Sequence, residues 1–221
     1  MRASGFSLVE MMVVLAIISV VTSIALIGQG DFNRSILLTD TADTVALSLR
    51  EMQTYGLSSR KFNAIQNAGY GAYMSSASTG SYVLFADTVD ADSVDRNTYA
   101  TNCLFGGTGT PESKPGDCIY TAGSDGIVQT YKFSRGFRIS KFCGLNGATK
   151  YCSTDASLPL TEMNVVFLRS NTESAVLAKR NGVWTVLTSA EIYLQSYDGS
   201  STKGICVSRV GQISVTNGTC L

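Results

Sequence analysis

Gly5-Phe6-Ser7-Leu8-Val9-Glu10 leads into the stretch on which the fold turns, Leu8 to Ile27, LVEMMVVLAIISVVTSIALI. That stretch is 20 residues long and carries one charge, Glu10. As a helix rising 1.5 Å per residue it would extend about 30 Å, the thickness of a bilayer's hydrocarbon layer. Arg2 lies on the short flank before it. A cation there favours keeping that end in the cytoplasm, with the rest of the chain outside. An excised secretory peptide would have an apolar core of about 7–15 residues and a small-x-small cleavage site. Here the apolar run is longer, and IGQGDFNRS after it matches such a site poorly.

Composition narrows the functional classes. The 221 residues hold 17 Lys plus Arg against 17 Asp plus Glu, with 15% charged and 44% hydrophobic. That is too apolar for a disordered chain and too balanced for a surface that is wholly a nucleic-acid footprint. Histidine is absent, so Ser-His and Cys-His nucleophile pairs, His general bases and His-ligated metals are excluded. No GxSxG elbow, GxxxxGK[ST] phosphate loop or dinucleotide-binding glycine fingerprint occurs. The chain therefore reads as a non-enzyme, with no cofactor and no metal.

Glu10 is the anomaly within the apolar run. A carboxylate inside a membrane helix costs several kcal/mol unless it finds a partner, which marks it as functional. The order of a short basic leader, Gly5, Phe6 and then Glu10 at the head of an apolar helix resembles the signal of type IV prepilins and pseudopilins. The resemblance implies that a prepilin peptidase cleaves between Gly5 and Phe6 and that the new Phe6 amine is N-methylated. It also places Glu10 at the fifth position of the mature chain. There its anion would meet the Phe6 amine of a neighbouring subunit, neutralising two costly charges and setting axial register.

Past Gly28-Gln29-Gly30, glycines that weaken helix locally, the pattern turns amphipathic. Leu38, Ala42, Val45, Leu49, Met52 and Gly56 recur at spacings of 4 and 3, with Asp40, Asp43, Ser48 and Gln53 off that face. One long helix is predicted from about Ser7 to Ser59. Its first half would span the membrane and its second half would pack on a globular head. Beyond it, ten short segments read as strands: 71–74, 82–86, 128–133, 137–142, 163–169, 175–180, 183–187, 192–195, 205–209 and 212–215. Asn181-Gly182 is a strong hairpin signal and Val210-Gly211 a weaker one. The fold class is α+β, a long N-terminal helix on an antiparallel β-sheet head. The expected divisions are 1–5 (leader), 6–28 (apolar helix), 29–60 (amphipathic helix) and 61–221 (head). The ending ICVSRVGQISV and the segment MNVVFLRSNTESAVL resemble the GspH/FimT-like minor pilins and minor pseudopilins.

Cys103, Cys118, Cys143, Cys152, Cys206 and Cys220 all follow the helix. An even number suits disulfides in an oxidising compartment, and six cysteines admit fifteen connectivities. Sequence-local pairing, Cys103–Cys118, Cys143–Cys152 and Cys206–Cys220, is favoured because each pair brackets a loop rich in Gly, Ser or Asn. Without CxxC or His, neither a zinc site nor a redox pair is expected. Asp87, Asp90, Asp92 and Asp95 in FADTVDADSVD lack the Gly and terminal Glu of an EF-hand loop and read as a solvated acidic loop, with calcium as the alternative. Lys132, Arg135, Arg138 and Lys141 fall three apart in YKFSRGFRISKF, interleaved with aromatics. They are candidate DNA contacts, or simply the outer face of a half-buried sheet.

Together these features predict a minor pilin or pseudopilin of a type IV pilus or type II secretion system. The alternative is a DNA-binding minor pilin in DNA uptake. The expected partners are other pilins, the prepilin peptidase, the membrane assembly platform and, before assembly, membrane lipid. The expected location is a single-pass inner-membrane protein with an exported head, passing into a filament.

Overall fold

The computed structural model describes residues 7–58, 60–63, 65, 68–88, 116–168 and 172–220, with backbone alone for 25–32. Helix α1 (Leu8–Leu57) precedes a series of strands. The chain divides into two compact units, Met1–Leu37 and Leu38–Leu221.

In the first unit every side chain from Leu8 to Ile24 is exposed, Leu8 at 76%. The hydroxyls of Ser19 and Ser23 donate to the carbonyls of Leu15 and Ser19 at 2.8 and 2.7 Å. The polar atoms of those two serines are thus satisfied within the helix. Among the described residues no helix is long and apolar enough to cross a membrane. The apolar stretch whose side chains are described, Leu8 to Ile24, has 17 residues, about 25 Å of helix.

In the second unit Leu38, Ala42, Val45, Leu49 and Met52 are all buried, along with Gly56. A Cβ on Gly56 would lie 2.4 Å from the Phe167 carbonyl oxygen, so only glycine lets the helix approach so closely there. Ser48, expected off the buried face, is a correction. It is 4% exposed, and its Oγ lies 3.0 Å from the Tyr82 hydroxyl. A serine at this position is buried because the sheet supplies a partner for its hydroxyl.

The helix stripe packs on a sheet ordered β3-β2-β1-β6-β7-β8. Its strands are β1 (Gly69–Ser75), β2 (Ser81–Asp87), β3 (Gly126–Lys132), β6 (Leu160–Phe167), β7 (Ser174–Arg180) and β8 (Val183–Leu187). A second sheet is ordered β11-β10-β9-β4-β5. It comprises β4 (Arg138–Asn146), β5 (Thr149–Cys152), β9 (Ser189–Gln195), β10 (Thr202–Ser208) and β11 (Ile213–Thr216). All pairings are antiparallel. The head therefore holds two sheets where the sequence reading had one, and β5 is an added strand. TKYC has no apolar run to announce it and is held by its ladder to β4.

Period-two alternation divides each sheet's faces. On the far side of the six-stranded sheet from α1, Phe85, Val166, Ala175 and Leu177 pack with Cys118 and Ile119. The apolar face of the five-stranded sheet carries Ile139, Phe142, Ile192, Leu194, Ile205 and Val207, all buried. Helix α1 also reaches this sheet's last hairpin. Arg50 Nη2 donates to the Ile213 carbonyl at 3.1 Å, and Gln53 Nε2 to that of Gly211 at 3.0 Å.

Candidate functional site

The amino-terminal motif is the first element of the site. Gly5 and Phe6 lie outside the described residues. Glu10 stands in the first turn of α1, beside the Met11 N–H to Ser7 carbonyl bond of 3.2 Å. The unpaired N–H groups of a helix start favour an anion there. Its side chain is exposed amid exposed Leu8, Val9, Met11 and Met12.

The cysteines form the second. Cys143 and Cys152 stand opposite each other on β4 and β5 and are disulfide-bonded, Cα to Cα 4.0 Å. Cys206 on β10 is bonded to Cys220 beyond β11, Cα to Cα 5.7 Å. Cys118 is disulfide-bonded as well, and Cys103 lies outside the described residues. Glu191 on β9 stands in register with Cys143 on one side and Cys206 on the other. It is 5% exposed and forms an ion pair with Lys150. It also accepts a hydrogen bond from the Tyr193 hydroxyl at 2.6 Å. The Cys220 N–H donates to that same tyrosine oxygen at 3.3 Å. Burial, then the Glu191 hydrogen bond, raises the Tyr193 pKa. Burial works against the Lys150 ammonium, but the Glu191 hydrogen bond and charge outweigh it and raise its pKa. This polar cluster between two disulfides escaped the sequence reading. Its only trace there was a Glu within the strand-like SAEIYLQ.

The basic segment is divided between the two sheets. Lys132 ends β3, Arg135 and Gly136 form a turn at φ 55° and 73°, and Arg138 and Lys141 lie on β4. Lys141 sits over the Tyr193 ring, 4.7 Å from its centroid. Lys132, Arg135 and Arg138 are exposed. The three-residue spacing thus makes no single face, because the turn moves the chain from one sheet to the other.

The acidic segment needs a correction. Asp87, read as part of a solvated loop, ends β2 fully buried. Its carboxylate accepts the N–H groups of Cys118 at 2.7 Å and Asp117 at 3.2 Å. Gly116 and Cys118 at φ 105° and 63° turn those N–H groups toward it, forming a backbone nest. Burial, with the charges of Asp117 and Asp125 adding to it, pushes the Asp87 carboxyl well above the usual range, and the two N–H bonds oppose this. Asp90, Asp92 and Asp95 lie outside the described residues. Among the described residues no cluster of three or more His, Cys, Asp or Glu side chains is placed to hold a metal ion.

Against this geometry, residues 1–26 match the prokaryotic N-terminal methylation motif. The match marks a type IV pilin-like prepilin signal and points to a structural subunit that assembles with other pilins after peptidase processing. No curated protein and no solved structure matches the chain.

Proposed function

We propose that this protein is a minor pilin or pseudopilin, a non-enzymatic filament subunit of a type IV pilus or type II secretion pseudopilus. The observation that carries the reading is Glu10 in the first turn of an exposed apolar helix, four residues after Phe6 within the matched motif. In this reading a prepilin peptidase cleaves after Gly5 and Phe6 is N-methylated. The apolar helix crosses the inner membrane until the assembly platform extracts it. Packed helices then form the filament, with Glu10 neutralising the Phe6 amine of a neighbour. The divisions 1–5, 6–28, 29–60 and 61–221 serve as leader, anchor, connecting helix and exported head. Minor rather than major status rests on the GspH/FimT-like ending.

The test is processing and assembly in a host that carries the pilus machinery. Wild-type chain should be recovered beginning at a methylated Phe6. Gly5→Leu should stay uncleaved, and Glu10→Leu should be cleaved but missing from sheared filaments. Mature chain beginning at Met1, or normal assembly of Glu10→Leu, would overturn the reading.

A DNA-uptake role is the second reading, favoured by the exposed Lys132, Arg135 and Arg138 beside Tyr131 and Phe133. It predicts that the full chain in detergent shifts single-stranded DNA, with affinity falling steeply as salt rises. Salt-independent binding, or none, would remove it.

A further inference from the structure

The end of β3 and the α1 turn from Asp40 to Val45 enclose a cleft of about 180 Å³. Buried Val45 and Tyr82 form its floor, and the hydrogen bond to Ser48 holds the Tyr82 ring in place. Tyr131 stacks on Tyr82 with centroids 5.1 Å apart and planes within 7°. Phe133 leans on the same ring at 5.6 Å. Tyr82 covers one face of Tyr131, a ring that stays only half-buried. Asp40 and Lys132 stand exposed at the rim, and neither has an ion pair among the described residues.

The arrangement discriminates between ligand classes. An ammonium ion is held by rings that surround it, whereas two stacked rings present a flat platform. A platform suits a ring ligand with an apolar face. The rim supplies one carboxylate acceptor and one ammonium donor, whose charges cancel. A phosphodiester or an acidic sugar gains no net attraction from a rim whose two charges cancel. A ring with a C–H face and a hydroxyl-bearing edge, carrying no charge, satisfies both the platform and the rim. The geometry points to a neutral hexopyranose as the ligand of this cleft, its C–H face on Tyr131 and its hydroxyls bonded to Asp40 and Lys132. The assignment stands apart from the filament reading and does not depend on it.

Saturation-transfer difference NMR on the full chain tests it, in a detergent without a sugar headgroup. The probes are the methyl glycosides of glucose, galactose, mannose and N-acetylglucosamine, with sialic acid and oligothymidylate as competitors. At least one neutral glycoside should bind saturably in the millimolar range. Tyr131→Ala should weaken it about tenfold, while Tyr131→Phe keeps the affinity. Asp40→Ala, on the exposed helix surface where folding is not at stake, should weaken it about fivefold. Absence of saturable binding by all four glycosides would overturn the assignment. So would affinity undiminished in Asp40→Ala, or preferential binding of sialic acid or oligothymidylate.

Discussion

Asp87 shows how a single side chain can tie together positions far apart in the chain. It ends β2, and its carboxylate grips the N–H groups of Asp117 and Cys118 about thirty positions later in the chain. Asp125 completes the arrangement by accepting the Thr88 N–H at 2.9 Å and the Thr121 N–H at 2.8 Å. A Cβ on Gly116 would fall 2.2 Å from the Asp87 carboxyl carbon, so the nest admits no larger residue there. Burial raises the Asp87 pKa above its ordinary value, so the folded chain holds this proton more tightly than the unfolded chain does. The stability that this proton supplies is complete below the ordinary carboxylate range, about pH 4. It falls as pH rises from there through the raised folded value. Urea midpoints at about pH 4 and about pH 7 should therefore show Asp87→Asn gaining on wild type as pH rises. The reverse trend would mean that the two N–H bonds outweigh desolvation and hold the carboxylate ionised. None of this was legible in the sequence, where FADTVDADSVD has the composition of a solvated loop. Ser48 and Glu191 were hidden for the same reason. A polar residue is buried when a distant partner satisfies it, and the partners here, Tyr82 for Ser48 and Lys150 for Glu191, lie 34 positions away and on another strand.

Elements were far more legible than those residues. The 4-and-3 spacing of Leu38 to Gly56 yields the buried stripe directly, because the helical period alone decides which side chains share a face. α1 ends at Leu57, two residues short of the expected Ser59. Asn181 and Gly182 take φ 50° and 77°, the left-handed pair of a two-residue hairpin, and join β7 to β8 as their sequence dictates. β5 was missed because Thr149–Cys152 is short, polar and dependent on its ladder with β4. The division into two sheets was missed as well. Alternation records which residues face inward, but says nothing about which strand lies alongside which. Here β1 pairs with β6, far along the chain, Tyr70 against Phe167. The same limit explains the basic segment. Spacing alone could not say which of its four cations share a face, and the turn at Arg135–Gly136 gives Lys132 to one sheet and Lys141 to the other.

At the scale of the whole molecule, the two disulfides with both cysteines described belong to one sheet. Cys143–Cys152 ties β4 to β5 and Cys206–Cys220 ties β10 to the tail. No described cysteine lies on a strand of the six-stranded sheet, which is held through the stripe of α1 and the cluster around Phe85 and Val166, where the disulfide-bonded Cys118 also packs. Closing loops of this size is worth about 2–3 kcal/mol each in the chain-entropy account. Hydrogen exchange with and without reductant should then show β4, β5, β10 and β11 losing more protection on reduction than β1, β2, β6 and β7, whose cluster loses only the Cys118 disulfide. Equal loss in both sheets would show that they open as one unit. The asymmetry matters for a chain exported as proposed. In a reducing cytoplasm neither staple exists, so a newly made copy keeps half of its fold loose and remains easy to unravel and thread through a translocation pore. Oxidation on the far side then clamps the loose half shut, and the route back is closed.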